Sequence, residues 1–276
     1  MKTIAVLMTV HNRKEKTLRC LASLYGQKYD MSNYCLDVYL TNDGCTDGTP
    51  DAIRQTFPDV HIVEGDGSLY WNGGMRRAWI EAAKGDYDYY LWLNDDVVLL
   101  PDALKELLET PCHYNGKSIM IGAMRDNVNS QTTYGGFSIT KRKLLDPNGE
   151  LQECQTMHGN CVLIPKFVYN NCGILDRHFH HAIGDLDYGL RARKDGIKLY
   201  LCKNYIGICE GNQTLPLWTN PKTPFLKRCK ILYSPLGYAE PIPFFIFEYR
   251  HFNVFVAVKH FILIHIRLLF PFLWKH

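Results

Sequence analysis

The chain has 276 residues, 46% hydrophobic and 21% charged, enough for one large α/β domain or one domain with a tail. That balance excludes a disordered chain. A formal charge of +3 without a basic block of five or more residues argues against nucleic acid as a partner.

The apolar run TIAVLMTV (3–10) turns at once into HNRKEK. It is shorter than a signal-peptide core and lacks a small-residue cleavage site, so it reads as a buried first strand. RKEKTLRCLASLYGQ (13–27) follows as a helix, with Leu18, Leu21, Ala22 and Tyr25 at helical spacing. CLDVYLTND (35–43) is a second strand, and TPDAIRQTF (49–57) a short helix with Thr49 as N-cap and Pro50 at its first position. DVHIVEG gives a third strand, NGGMRRAWIEAAKG (72–85) a helix ending at Gly85, and YDYYLWLND a fourth strand. PDALKELLE (101–109) begins another helix with proline at its start. This alternation predicts an α/β fold with a Rossmann-like, mostly parallel central sheet flanked by helices.

Beyond residue 117 the pattern is mixed. SIMIGAMR, TTYGGFSIT and CVLIP are strand-like, DLDYGLRARKDG is helical, and IKLYL and YIGIC are two further strands. TKRKLLDPNGELQECQT (140–156) reads as a mobile surface loop. Residues 242–276 are strongly apolar, with Asn253, His260 and Arg267 seven apart on one narrow polar stripe beside Lys259. So many polar residues argue against a spanning segment. The expectation is an amphipathic C-terminal helical tail on a membrane surface, on a partner chain as in a homodimer, or on its own domain. The ten scattered cysteines contain no CxxC pair, which favours free thiols in a reducing, cytoplasmic setting.

In open α/β sheets ligands bind beyond the carboxyl ends of the strands. Three polar clusters stand at such ends: TVHNR (9–13), TNDGCTDGT (41–49) and LNDDV (93–97). The paired acids Asp95 and Asp96 are hard oxygen ligands suited to Mn²⁺ or Mg²⁺ together with substrate phosphates. The alternative is that they cap the next helix. GDGSLYWNGGMRRAW (65–79) does not fit a dinucleotide fingerprint. It reads either as a turn before a helix or as backbone approaching a nucleotide-sugar at a helix N-terminus, with Gly73 and Gly74 at the approach.

In order, TVHNR, NDGCTDGT, NDD and GDLDYGLRARKDG (184–196) resemble the motifs of the family 2 glycosyltransferases of the GT-A fold, over about residues 3–210. The 65–79 stretch is similar to that of rhamnosyltransferase-like bacterial members. The resemblance implies a metal-dependent, inverting transfer of a sugar from a UDP- or dTDP-sugar to a saccharide or lipid-linked acceptor in bacterial surface polysaccharide synthesis, and the apolar tail adds the expectation of a place at the inner face of the cell membrane. Thr9, His11 and Arg13 would line the nucleotide pocket, and Asp43 would accept from the imide N–H of the base. Asp96 would be the metal ligand, with Asp95 close to the metal or to the hydroxyls of the donor sugar. Asp185 would be the general base, supported by Asp187 and oriented by Arg191, with His158, Gly159 and Asn160 flooring the acceptor site. The implied division is a catalytic domain over 1–215, nucleotide-binding to 100 and acceptor-binding from 101, followed by an extension over 216–276.

Two residues depart from the family pattern. Gly184 replaces the first acid of an E-D pair, and ICEGN (208–212) stands where a histidine ligand is expected, leaving Cys209 or Glu210. A pyrophosphorylase would open with a glycine-rich loop, which TVHNRKEK lacks. A nucleotide-sugar-binding protein without catalysis is the other alternative.

Overall fold

Strand β1 (Lys2–Val10) forms the axis around which the first half of the chain is wound. The computed structural model describes residues 1–28, 32–109, 116–211, 216–237 and 239–273. Helix α1 (Lys14–Tyr25) returns the chain to β2 (Tyr34–Asn42), α2 (Thr49–Thr56) to β3 (His61–Glu64), and α3 (Tyr70–Ala82) to β4 (Tyr89–Leu93). These four strands are parallel, in the order β4-β1-β2-β3, with Val6 opposite both Val38 and Leu91. Side chains alternate across β1. Ile4, Val6 and Met8 pack with Leu21 and Leu24 of α1, while Ala5 and Leu7 pack with Met75 and Trp79 of α3.

The second half extends the sheet with mixed directions. It holds β5 (Val98–Leu99), α4 (Ala103–Leu108), β6 (Ile119–Arg125), β7 (Thr132–Tyr134), β8 (Gly136–Ser138), β9 (Lys143–Leu144), β10 (Gln152–Cys154), β11 (Thr156–Met157) and β12 (Cys161–Pro165). Helices α5 (Lys166–Cys172) and α6 (Gly184–Lys194) precede the long strand β13 (Leu199–Ile208). Strand β12 runs antiparallel between β4 and β6, and β13 lies parallel to β6. The fold is thus α/β with a central sheet covered by helices on both faces. Three helices close the chain: α7 (Phe225–Leu232), α8 (Pro241–His251) and α9 (Val254–Leu269).

Several local expectations are corrected. Residues 140–156 are not a loop: they contain β9, β10 and the start of β11, and they bury Leu145 and Cys154. IKLYL and YIGIC are one strand, β13, whose register against β6 shifts between Leu201 and Gly207. The buried face of α1 is Thr17, Cys20, Leu21 and Leu24, leaving Ala22 and Tyr25 exposed. Gly48, at φ 78°, caps α2, and Thr49 is instead buried with its hydroxyl donating to Asp47. Asn253 caps α9 by accepting from the Val256 N–H at 3.0 Å, and His260 pairs with Glu248 of α8, so the expected stripe does not form. The nine cysteines among the described residues are free, and Cys112 lies outside them.

Candidate active site

Strands β1, β2 and β4 end at Val10, Asn42 and Leu93, so the polar residues that follow emerge along one edge of the sheet. Asp43 is 3% exposed, and its carboxylate accepts the N–H groups of Gly67 at 2.8 Å and of Leu69 and Tyr70 at 3.0 Å. Neither Leu69 nor its neighbours supply a local cap for α3, so Asp43 satisfies that helix terminus from across the site. The loop is tight because Gly44, at φ 69°, faces Gly67, at φ 84°; a Cβ on Gly44 would lie 2.8 Å from the Gly67 Cα. The N–H groups at this turn are therefore engaged by Asp43.

The glycines of the WNGG stretch have packing roles. A Cβ on Gly74 would lie 2.0 Å from Thr9 Oγ1, so its absence lets α3 press onto β1, and Thr41 donates to the Gly74 carbonyl at 2.8 Å. Gly73 faces the Leu69 side chain. Neither glycine lines either cavity of the site.

Asp95 and Asp96 lie just beyond β4, their side chains 7% and 21% exposed, and Arg13 donates to both, at 2.9 and 3.1 Å. Burial pushes the Asp95 carboxyl up to about 6; Arg13 opposes the shift and Asp96 adds to it. The pair is thus under-neutralised by a single guanidinium, and its hard oxygens fit a divalent cation. Among the described residues no ready-made set of three His, Cys, Asp or Glu ligands is present. Two protein acids with substrate oxygens and water match the way Mg²⁺ and Mn²⁺ are commonly held. Where a histidine was expected, Cys209 Sγ lies 3.6 Å from Asp96 Oδ1, whereas Glu210 accepts from the Asn127 N–H. Burial holds the Cys209 thiol well above its ordinary pKa.

Strand β12 brings the second group of residues to the first. The Asn94 N–H donates to the Asn160 carbonyl at 2.9 Å, setting His158–Asn160 beside Asp95 and Asp96. Asp185, in the first turn of α6, accepts from the Gly159 N–H at 2.8 Å through Oδ2 and from Leu186 N–H at 2.8 Å through Oδ1. A Cβ on Gly159 would lie 2.6 Å from the Trp71 ring and 3.2 Å from Asp185 Cβ, so only glycine lets the three meet. Burial pushes the His158 imidazole down, against the pull of Asp185.

An open cavity of about 780 Å³ is lined by Asp95, Asp96, His158, Gly159, Asn160 and Asp185. A second, of about 410 Å³, is lined by Thr9, His11, Arg13, Asp43 and Asp95. Trp71, Arg13, Asp95, His181 and Leu236 belong to both walls, so the cavities adjoin. Trp71, whose indole donates to Asn94 Oδ1 at 2.7 Å, was missed by the sequence reading. So were Leu236 and Phe244, which wall the larger cavity.

Asp187 and Arg191 are not brought into the site. Asp187 is fully buried and accepts from Arg191 at 2.9 Å, from Arg250 at 2.7 Å and from His251 at 2.8 Å. Arg191 also donates to the carbonyls of Cys172 and Ile174. Together they anchor α8 to α6. Gly184 is explained by Asn72: a Cβ there would lie 2.0 Å from Asn72 Oδ1. Asn72 Nδ2 in turn donates to the carbonyls of Asp176 and Phe179, tying the loop before α6 to α3.

Residues 5–179 match the sequence profile of Glycosyl transferase family 2. The chain belongs to this family. No curated protein matches it in sequence. Among solved structures, this family 2 glycosyltransferase is similar to S. aureus TarS, with a TM-score of 0.56 and 12% identity over 92% of this chain and 44% of that one. It is also similar to the mannosyltransferase PcManGT of Pyrobaculum calidifontis, determined with GDP-Man and Mn²⁺ (TM-score 0.54, 14% identity, 93% and 74% of the two chains). A third is GalNAc-T7, determined with UDP, GalNAc and Mn²⁺ (TM-score 0.55, 11% identity, 75% and 43%). The family 2 chain therefore spans less than half the length of TarS and of GalNAc-T7. These likenesses show the GT-A fold.

Proposed function

We propose that this glycosyltransferase is inverting and metal-dependent, moving a hexosyl or rhamnosyl group from a UDP- or dTDP-sugar to a hydroxyl of a saccharide or lipid-linked acceptor in bacterial surface polysaccharide synthesis. The observation that carries this reading is the placement of Asp185 and the Asp95–Asp96 pair on the wall of one cavity, with Asp95 shared by the smaller cavity of Thr9, His11, Arg13 and Asp43. That arrangement supports a donor in the smaller cavity and an acceptor in the larger, meeting between them. The ligands of PcManGT (GDP-Man) and GalNAc-T7 (UDP and GalNAc), each with Mn²⁺, favour a nucleotide-sugar donor, with either a purine or a pyrimidine base among them.

Asp95 and Asp96 would hold Mn²⁺ or Mg²⁺, which supplies charge stabilisation for the diphosphate leaving group. Asp185, fixed by its two backbone donors, takes the proton of the acceptor hydroxyl as that oxygen bonds to the anomeric carbon. The bond to the diphosphate oxygen breaks in the same displacement, which inverts the anomeric centre. Leu236 and Phe244 give the larger cavity an apolar wall suited to a sugar face or a lipid-linked acceptor. Trp71, on the wall of both cavities, would stand where the two substrates meet.

The test is a thermal-shift panel of UDP, dTDP, GDP and their sugar derivatives, with and without Mn²⁺. A ligand at one hundred times its Kd stabilises by about 2.7 kcal/mol. UDP or dTDP with Mn²⁺ is expected to raise the melting temperature; no rise from either at saturation overturns the donor assignment.

A further inference from the structure

Helix α9 has two apolar faces. Ala257, Ile264 and Leu268 are buried, the last two beside Trp218 and Leu232. On the other side Phe255, Val258, Ile262, Ile266 and Leu269 are exposed, Phe255 by 82% and Ile262 by 52%. Their spacings of three and four residues place them on a single stripe along the helix. Lys259 is exposed beside that stripe, and Phe272, 72% exposed, continues the apolar surface past the helix end. An apolar stripe of this length on a free surface marks an interaction site.

The charge of the region identifies the occupant. Residues 216–273 contain seven lysines and arginines against Glu240 and Glu248, whereas the rest of the chain has a slight acidic excess. Both acids are engaged, Glu240 with His180 at 2.9 Å and Glu248 with His260. Lys222, Lys227, Lys230 and Lys259 are exposed. Pairing with a second copy would bring two net-positive segments of the same charge together, which is unfavourable. No helix among the described residues is long and apolar enough to cross a membrane. An apolar stripe bordered by Lys259 on a net-positive segment instead matches a helix lying in the plane of an anionic lipid surface.

We propose that α9 docks with its Phe255–Leu269 stripe in the headgroup region of an anionic bilayer, the lysines meeting lipid phosphates. A cytoplasmic chain held in this way sits peripherally on the inner face of the membrane. The inference rests on the C-terminal surface alone and does not depend on the donor or acceptor.

The experiment is co-sedimentation of the full chain with phosphatidylcholine vesicles and with equimolar phosphatidylcholine–phosphatidylglycerol vesicles. Partition onto the anionic vesicles is expected to exceed that onto neutral ones by about ten-fold or more and to fall in high salt. The triple variant Phe255→Ser, Ile262→Ser, Ile266→Ser should lose about ten-fold in partition with its melting temperature retained, since these side chains face outward. Lys259→Glu gives an independent reading, reducing binding to the anionic vesicles only. The proposal is overturned if the intact chain stays in the supernatant with anionic vesicles, or if both variants bind as the wild type does. It is also overturned if light scattering shows a dimer that the triple variant abolishes while lipid binding is absent, which would assign the stripe to a second copy.

Discussion

The guanidinium of Arg13 bridges two carboxylates of adjacent residues, 2.9 Å from Asp95 and 3.1 Å from Asp96. It is the only cation hydrogen-bonded to the pair among the described residues, and burial, with Asp96 beside it, still holds Asp95 near 6 against the pull of Arg13. Arg13→Met removes that charge. Its side chain is 45% exposed, so the loss of stability is expected to be on the order of 1 kcal/mol in urea unfolding. The melting-temperature rise produced by Mn²⁺ should be larger in the variant than in the wild type, because the cation then supplies the missing charge. Equal rises would separate Arg13 from the metal site.

Asp185→Asn keeps the shape of the side chain and one of its two backbone hydrogen bonds, and removes the proton acceptor. Transfer should fall by about 10²–10⁴-fold, with the UDP or dTDP melting shift unchanged. Asp187→Asn should behave oppositely, lowering stability first, since Asp187 lies outside both cavities. A wild type that binds donor and transfers nothing would make the chain a binding protein.

Gly74→Ala places a methyl group 2.0 Å from Thr9 Oγ1 and is expected to cost about 1–3 kcal/mol as α3 is pushed from the sheet. Thr9→Ala in the same chain should recover part of that loss. Strict additivity of the two changes would refute the contact as the cause.

Arg250 joins α8 to two acids, 2.6 Å from Asp176 and 2.7 Å from Asp187. Burial would raise both carboxyls. The Asp176 carboxyl is nevertheless held at about 2 by the His178 N–H and Arg250, and Asp187 is held down by His251, Arg191 and Arg250. Groups depressed on folding add stability that is complete above the unfolded carboxylate value of about 3.9 and is lost as pH falls below it. Denaturation between pH 6 and 2 should therefore show acid destabilisation. Arg250→Met should lower stability at neutral pH by about 1–3 kcal/mol and flatten the acid slope. An unchanged slope would remove this cluster from the acid response.

The strand ends and their acids were legible because their signals are local. An apolar run that stops at Asp43 or Asp95 announces a strand and its edge together. The reading of Asp187 as a partner of Asp185 failed on helical geometry: residues i and i+2 point about 200° apart at 3.6 residues per turn, so the two acids face opposite sides of α6. The strands of 140–156 are two or three residues long and polar, too short to show alternation. Trp71 was hidden in a glycine-rich segment, although a large aromatic in such a turn is itself a signal. Leu236 and Phe244 reach the site only through the path of the C-terminal helices, which no local pattern encodes.

Asp185 and Phe244 both lie beyond residue 179, where the family match ends, whereas Asp43 and Asp95 lie within it. The larger cavity is thus walled from both sides of that boundary, with His158, Gly159 and Asn160 before it and Asp185 and Phe244 after it. A change confined to the segment around Phe244 would reshape the larger cavity and leave the lining of the smaller one as it is.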